Sequence, residues 1–262
     1  MENQHIYFLS FGGPSQPYHD ALERICNQAK SFNMFNKIFP VTEQTLIEDK
    51  NFWDKHGSFI NSNRRGYGYW LWKPYIITKI LSHIEENSIL LYCDCGCELN
   101  IDGLERFKEL IKLTNNKLIL GTNGGSTDYN YTKMDLIKFF DYDISSEKEQ
   151  EILKQGHMQA GILMMKNCKV IKNLVKIWYD ICSSNYHFID DSLSININTN
   201  EFIEHRHDMS VFNLLVKKMG LINYDIDPSY FGTMNEVRRY MIEGKKQPIW
   251  CTRNISKISI KN

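Results

Sequence analysis

Asp94 closes an apolar run, Ile89–Cys93, and is followed by Gly96. A short apolar run bounded by polar turn formers reads as a buried strand. A carboxylate at the carboxyl end of such a strand lies where open α/β sheets hold their ligands. There Asp94 could hold Mg²⁺ or Mn²⁺ against a diphosphate, since hard cations take oxygen ligands. Upstream, Arg64-Arg65-Gly66-Tyr67-Gly68-Tyr69-Trp70-Leu71-Trp72-Lys73-Pro74 is too aromatic and basic for an ordinary loop. Arg65 and Lys73 suit phosphate, and the aromatic faces suit a base or a sugar. In His157-Met158-Gln159-Ala160-Gly161, Gln159 offers an amide and Gly161 permits close backbone approach, while His157 alone reads as a surface residue. Finally, Glu204-His205-Arg206-His207-Asp208 directly precedes a helical pattern. Its ionisable groups could bind metal or phosphate or stabilise a charged intermediate, and Asp208 could cap the helix as well.

Cys93, Cys95 and Cys97 invite a zinc reading. Alternate positions on one extended strand spread three thiolates over ~13 Å, too far apart for one tetrahedral ion. They read instead as small apolar groups under a helix, with Tyr92, Asp94 and Gly96 on the opposite face. The sequence holds no GxxxxGK[ST], GxSxG or HExxH, which disfavours P-loop nucleotidases, α/β-hydrolases and zincins.

The elements that must position these residues alternate. Strands are expected at Ile6–Phe11, Lys37–Val41, Ile89–Cys93, Leu118–Gly121, Gln159–Met165 and Leu221–Ile226. Helical spacing of apolar residues predicts helices after Gly13, after Pro74, near Leu104–Leu113, from Val170 and from about Asp208. Thr122–Ser126 and residues 183–200 read as loops. Such alternation predicts an α/β fold with a mostly parallel sheet covered on both faces. Without a repeat or a linker, one domain over residues 1–262 is expected, with a peripheral tail after about residue 235.

Lys+Arg and Asp+Glu both total 31, a balance that argues against a nucleic-acid partner. No apolar run approaches the ~20 residues of a transmembrane helix, and the first residues lack a signal-peptide pattern. A cytosolic location with reduced thiols is expected, possible attachment at a membrane periphery aside.

Three segments taken together, Gly66–Pro74, Leu90–Cys97 and His205–Phe212, resemble a family of glycosyltransferases of low-GC bacteria and giant viruses. The resemblance runs from Phe8 to about Tyr224. More distantly the layout is similar to GT-A sugar-nucleotide transferases of the glycogenin and lipopolysaccharide-galactosyltransferase kind. It implies a GT-A-like, Rossmann-like mixed sheet flanked by helices, and transfer of a sugar from a UDP- or GDP-sugar to a glycan or lipid-linked acceptor. In those enzymes a strand ends in Asp-X-Asp, which holds a divalent cation, Mn²⁺ or Mg²⁺, on the donor diphosphate. Asp94 matches the first Asp and Gly96 stands in place of the second, a gap that Glu98, His205 or His207 would fill. Gln159-Ala160-Gly161 is similar to their Asn-Ala-Gly, and Asp208-Met209 to their Asp-Gln. The resemblance makes Asp94, Gln159 and Asp208 catalytic candidates. It assigns Ser10, Phe11, Gly12, Arg65, Tyr69, Lys73, Asp94, Gly96 and Gly161 to the donor, and Asp94, His205 and His207 to the metal. Retention of configuration is the expected outcome, and Thr122–Tyr131 and Tyr186–Asn200 are the expected acceptor loops. Two other functions fit the residues: a nucleotide-sugar or carbohydrate-binding module without catalysis, and a metal-dependent phosphotransfer or phosphodiesterase enzyme.

Overall fold

A computed structural model describes residues 4–226 and 246–255. The first strand, β1 (Ile6–Phe11), leads into α1 (Gln16–Phe32), then β2 (Lys37–Val41), α2 (Glu43–Glu48) and α3 (Lys50–Ser62). A four-residue turn, α4 (Gly66–Tyr69), precedes α5 (Trp72–His83), which delivers the chain to β3 (Ile89–Cys93). Next come β4 (Glu98–Leu99), α6 (Leu104–Lys117), β5 (Ile119–Leu120), β6 (Asn123–Thr127), α7 (Asp128–Tyr131), α8 (Met134–Phe139) and α9 (Glu147–Leu153). The remainder is β7 (Gly156–Met158), β8 (Ile162–Lys166), α10 (Lys169–Ser184), α11 (Asp208–Lys218) and β9 (Ile249–Trp250).

The central sheet has the order β2-β1-β3-β8-β5. β1 pairs in parallel with β2 and β3, whereas β8 is antiparallel to both β3 and β5. Four strands therefore share one direction, and the expected mixed, mostly parallel α/β sheet is present. Alternation sorts its side chains: Tyr7, Leu9 and Tyr92 face a core closed by α5, α10 and α11, while Ile6, Phe8 and Leu91 face one closed by α1 and α6. Both faces are buried, which is why β3 is apolar throughout and β1 is so apart from Ser10, rather than alternating with polar residues.

Three boundaries differ from expectation. The strand expected over Gln159–Met165 begins only at Ile162, as β8; Gln159–Gly161 link it to β7, which ends at Met158, and turn the backbone past the end of β3. The Thr122–Ser126 loop is largely β6, which pairs antiparallel with β7 through a bulge. Residues 221–226 form no strand; they meet Gly121 through only two backbone hydrogen bonds, Gly121 N to Asn223 O and Ile226 N to Gly121 O. Part of the expected peripheral tail lies outside the described residues (235–245 and 256–262), but its described part is not peripheral, since β9 pairs antiparallel with β4. No helix among the described residues is long and apolar enough to cross a membrane.

Candidate active site

β3 ends and β8 begins beside a cavity of about 870 Å³ whose floor holds Asp94, Lys73 and Asp208. Asp94 is the first residue past β3, and its N–H donates to Gly161 O at 2.8 Å. On its side chain, Oδ1 accepts from the Tyr92 hydroxyl at 2.6 Å and lies 3.2 Å from Lys73 Nζ. Gly161 is demanded by this arrangement, because a Cβ there would lie 2.8 Å from Asp94 Oδ2. The Lys73 side chain is 4% exposed and also donates to Ala160 O at 3.2 Å. Burial alone would push its pKa down, yet the carboxylates of Asp94 and Asp208 hold it above the usual lysine range. Lys73 is therefore a fixed cation, its own side chain shielded from water.

Asp208, the first residue of α11, is almost wholly buried, and its Oδ2 has no hydrogen-bond partner among the described residues. Burial raises its pKa to about 7, against the opposing pull of Lys73 and with a further push from Asp94. The preceding residue, His207, has φ 55° and ψ −131°, a strained conformation for a non-glycine residue, of the kind that concentrates at functional sites. It is held by stacking on Tyr69 (centroids 5.2 Å apart) and by Nε2 against Asp191 at 2.9 Å. The neighbouring Trp178 indole donates to Asp208 O at 2.8 Å, fixing the helix start from the core side.

The wall beside the start of α11 is built by the aromatic motif, and in a form that spacing could not announce. Gly66, Tyr67, Gly68, Tyr69 and Trp70 all have positive φ, between 53° and 82°. Left-handed backbone costs roughly 1–2 kcal/mol per non-glycine residue and is ordinarily visited by single residues. Here a whole left-handed turn is held by Gly68 N to Asn63 O, Tyr69 N to Arg65 O and Trp70 N to Gly66 O, and by the Trp72 indole donating to Gly66 O. The turn presents Arg64, Arg65, Tyr67 and Trp70 to the cavity, with Trp72 stacked on Phe11 at 3.8 Å. Arg65 is tied to Asp191 at 2.8 Å, as is His207, so the basic and histidine motifs are joined through one carboxylate.

The structure thus brings Asp94, Gln159, Asp208, Phe11, Arg65, Lys73, Gly96, Gly161 and His207 to one cavity. It does not bring Ser10, Gly12, Tyr69 or His205 to its lining. Ser10 is buried in the sheet, and Gly12 packs on α1, where a Cβ would lie 2.5 Å from Leu22 Cβ. Tyr69 stands behind His207 and supports it. His205 is not available as a metal ligand: its Nδ1 accepts from Lys133 N at 3.3 Å and its Nε2 bonds Phe188 O at 2.8 Å. Burial pushes its pKa down to about 3. The nitrogen of His207 that meets a partner is Nε2, on Asp191, so this histidine also serves the wall. Glu98 does not compensate for Gly96; it accepts from Thr252 and Asn254.

Several lining residues escaped the sequence reading. Cys251, Arg253 and Ile255 come from the tail, which closes over Gly96 through Asn254 N and Thr252 Oγ1, both donating to Gly96 O. Only the basic character of that tail hinted at it. Cys93, Cys95 and Cys97 are buried apolar packing as expected, although Cys95 and Cys97 also border the cavity. His157, expected at the surface, is wholly buried.

The divalent cation implied by the resemblance would meet few donors here. Among the described residues no group of three or more His, Cys, Asp or Glu is arranged to hold a metal. The side-chain contacts on Asp94 fall on Oδ1, which leaves Oδ2 toward the cavity beside Gly161. One carboxylate is within what Mg²⁺ accepts when substrate phosphates and waters complete its shell. Asp94 would be the protein's ligand to such a cation.

The chain matches no family model, and no curated protein matches it either. Among solved structures, mouse xyloside xylosyltransferase 1 in its apo form is 9% identical, over 94% of this chain and 96% of that one, with a TM-score of 0.47. The galactosyltransferase LgtC, in complex with donor and acceptor sugar analogues, is 11% identical over 95% and 87%, also at 0.47. A glycosyltransferase involved in glycosylation of the major capsid of PBCV-1 is 12% identical over 68% and 66%, at 0.37.

Proposed function

We propose that the chain is a glycosyltransferase, moving a sugar from a nucleotide-sugar donor to a hydroxyl of a glycan or lipid-linked acceptor. The observation that carries this reading is the buried Lys73 ammonium between Asp94 and Asp208, on the floor of a cavity rimmed by cations and aromatic rings. Breaking the bond between the anomeric carbon and the diphosphate puts negative charge on the leaving group and positive charge on the sugar. Prearranged charges of the opposite sign lower that barrier most effectively where water is scarce. Lys73, with Arg65 at the rim, opposes the developing diphosphate charge. Asp208, which titrates near neutrality, faces the sugar as a carboxylate that stabilises the positive centre. Gln159 orients a sugar hydroxyl, and the stacked pair Phe11–Trp72 offers its faces to the base. A bound Mn²⁺ or Mg²⁺ on Asp94 supplies further positive charge against the diphosphate.

The test is turnover of a panel of UDP- and GDP-sugars with Mn²⁺, followed by nucleotide release, and the same assay on Asp94→Ala. Wild-type protein is expected to release nucleotide slowly from at least one donor. Asp94→Ala is expected to lose this by at least about 10²-fold, the scale of removing one charge-stabilising group. A folded wild-type protein that neither binds nor turns over any nucleotide sugar overturns the reading. Binding without turnover instead favours a catalytically silent binding module, a reading that Gly96 in place of a second carboxylate supports. Retained turnover in Asp94→Ala removes Asp94 from the mechanism.

A further inference from the structure

A second chain of polar groups runs from the cavity wall into the core. Ser126, on β6, lines the cavity two residues from Gly124, against which the Gln159 side chain packs. Its Oγ lies 3.2 Å from His157 Nδ1. The other ring nitrogen, His157 Nε2, lies 2.8 Å from Asp128 Oδ1, and both side chains are wholly buried. Asp128 accepts in addition from Thr132 Oγ1 at 2.9 Å and from Lys217 Nζ at 2.6 Å. Despite its burial, His157 and Lys217 hold its pKa down to about 2, so it is an anion. The remaining titratable groups facing this anion are Tyr142 and Tyr224, both pushed up to about 12 by burial and by Asp128, and hence neutral. An anionic Asp128 accepts from Nε2–H, and which nitrogen of a neutral imidazole carries the proton is set by such a bond. The Nδ1 lone pair is then left for the Ser126 hydroxyl, which donates to it.

We infer that Ser126, backed by His157 and Asp128, is the relay that removes the proton from the acceptor hydroxyl. This rests on the glycosyl-transfer reading above. As the acceptor oxygen bonds to the anomeric carbon and the bond from that carbon to the diphosphate breaks, the acceptor proton passes to Ser126 Oγ. The Ser126 proton passes in the same step to His157 Nδ1. The imidazolium so formed is stabilised by Asp128, and the diphosphate leaves with the bonding electron pair. Ser126 touches the acceptor; His157 and Asp128 act through it and are positioning residues. The serine follows Gly124 and Gly125, the latter at φ 75°, so no bulky neighbour precedes the hydroxyl on its own strand. Gly124, two residues before the serine on β6, packs against Gln159, and Gln159 lies two residues before Gly161, whose carbonyl accepts from Asp94 N, so the relay starts on a wall of the cavity that holds Asp94.

The experiment compares wild type, Ser126→Ala and Ser126→Thr with a UDP- or GDP-sugar that the wild type turns over, water serving as acceptor. Ser126→Ala is expected to bind the free nucleotide as the wild type does and to release nucleotide from the sugar donor at least 30-fold more slowly. Ser126→Thr, which keeps a hydroxyl, is expected to recover most of the rate. Equal rates for wild type and Ser126→Ala overturn the relay, as does loss of nucleotide binding in a cooperatively melting Ser126→Ala. A readout independent of any donor is the ¹⁵N spectrum of His157 in the whole protein. The neutral Nε2–H tautomer with Nδ1 shifted by a hydrogen bond that Ser126→Ala abolishes is the expected result. A doubly protonated ring at pH 8 overturns the relay even if no nucleotide sugar is ever turned over, and absence of donor turnover alongside the expected spectrum sinks only the glycosyl-transfer reading.

Discussion

Two of the acid–lysine clusters among the described residues, around Asp128 and around Asp208, are built to opposite ends. In the interior cluster, both oxygens of Asp128 are bonded, to His157 and Thr132 on one side and Lys217 on the other. Lys217 is satisfied in turn by Gln155 O at 2.9 Å. At the cavity floor, Lys73 serves two carboxylates and Asp208 keeps one oxygen without a partner. The consequence shows in the acids: Asp128 is held down to about 2, Asp208 pushed up to about 7, although both are buried. Burial alone therefore does not decide an acid's charge; partners do. A protein that can satisfy Asp128 completely and leaves Asp208 short keeps its unspent polarity where a ligand can use it.

The comparison breaks most visibly at Lys217. Replacing it by Met leaves Asp128 as a buried anion with one cationic partner removed, and breaking one side of a buried pair costs ~3–5 kcal/mol. Lys217→Met is expected to melt many degrees below wild type, as followed by circular dichroism. A melting temperature within two degrees of wild type, about 0.5 kcal/mol for a domain of this size, would show that Lys217 does not hold the interior network together.

Asp208 carries the opposite sign, and pH separates the two. Its folded pKa lies above its ordinary value, so between pH 4 and 7 the folded state binds more protons than the unfolded one. Stability then falls as pH rises through that window, by up to about 4 kcal/mol for a shift of roughly three pH units at 1.36 kcal/mol each. Asp128, with a depressed pKa, contributes stability above about pH 4 that is lost as pH falls toward 2. Denaturant melts at pH 5 and pH 8 should show wild type firmer at the acid value. Asp208→Asn, isosteric and never charged, should erase that difference while lowering nucleotide release by ~10²–10⁴-fold. An unchanged pH slope in Asp208→Asn would assign the slope to another group.

How much of this was legible in sequence follows the same divide. β1 and β3 were readable because a strand buried on both faces must be continuously apolar. The positions of Asp94 and Gly161 followed from that strand and from the turn facing it. β8's reversed direction was not readable, because an apolar pentapeptide such as Ile162–Lys166 has the same composition in either orientation. The left-handed turn at Gly66–Trp70 was hidden as well: its glycines signalled a turn, but Tyr67, Tyr69 and Trp70 gave no sign of positive φ, which tertiary hydrogen bonds impose. His157 looked like an exposed residue because its partners, Asp128 and Ser126, lie 29 and 31 positions away, and pairing at that distance leaves no local pattern. His205 and His207 looked like metal ligands for the converse reason, since proximity in sequence says nothing about which nitrogens Lys133, Phe188 and Asp191 already occupy.

The smallest expected effect sits at Gly96, where the resemblance calls for a second carboxylate. Its φ is not in the left-handed region, so backbone freedom is not the reason for glycine. The reason is contact: a Cβ would lie 3.3 Å from Arg253 Cα and 3.5 Å from Ile255 Cγ1, with the tail crossing directly above. That tail is pinned from two sides, by Gly96 O and by the Arg24 guanidinium, which donates to Asn254 O, Cys95 O and Cys97 O. A carboxylate at position 96 and this tail therefore compete for one space, and here the tail occupies it, setting Arg253 at the cavity edge where a second acid would otherwise stand. Gly96→Ala asks the tail to give by a few tenths of an ångström. Mild overpacking of this kind costs ~1 kcal/mol. Because the displaced residue is a cation at the rim rather than Lys73 at the floor, nucleotide affinity should weaken only a few-fold, with the rate at saturation unchanged. Isothermal titration with the free nucleotide, alongside the melt, checks both. Tighter binding in Gly96→Ala would mean that the tail obstructs the donor instead of completing its site.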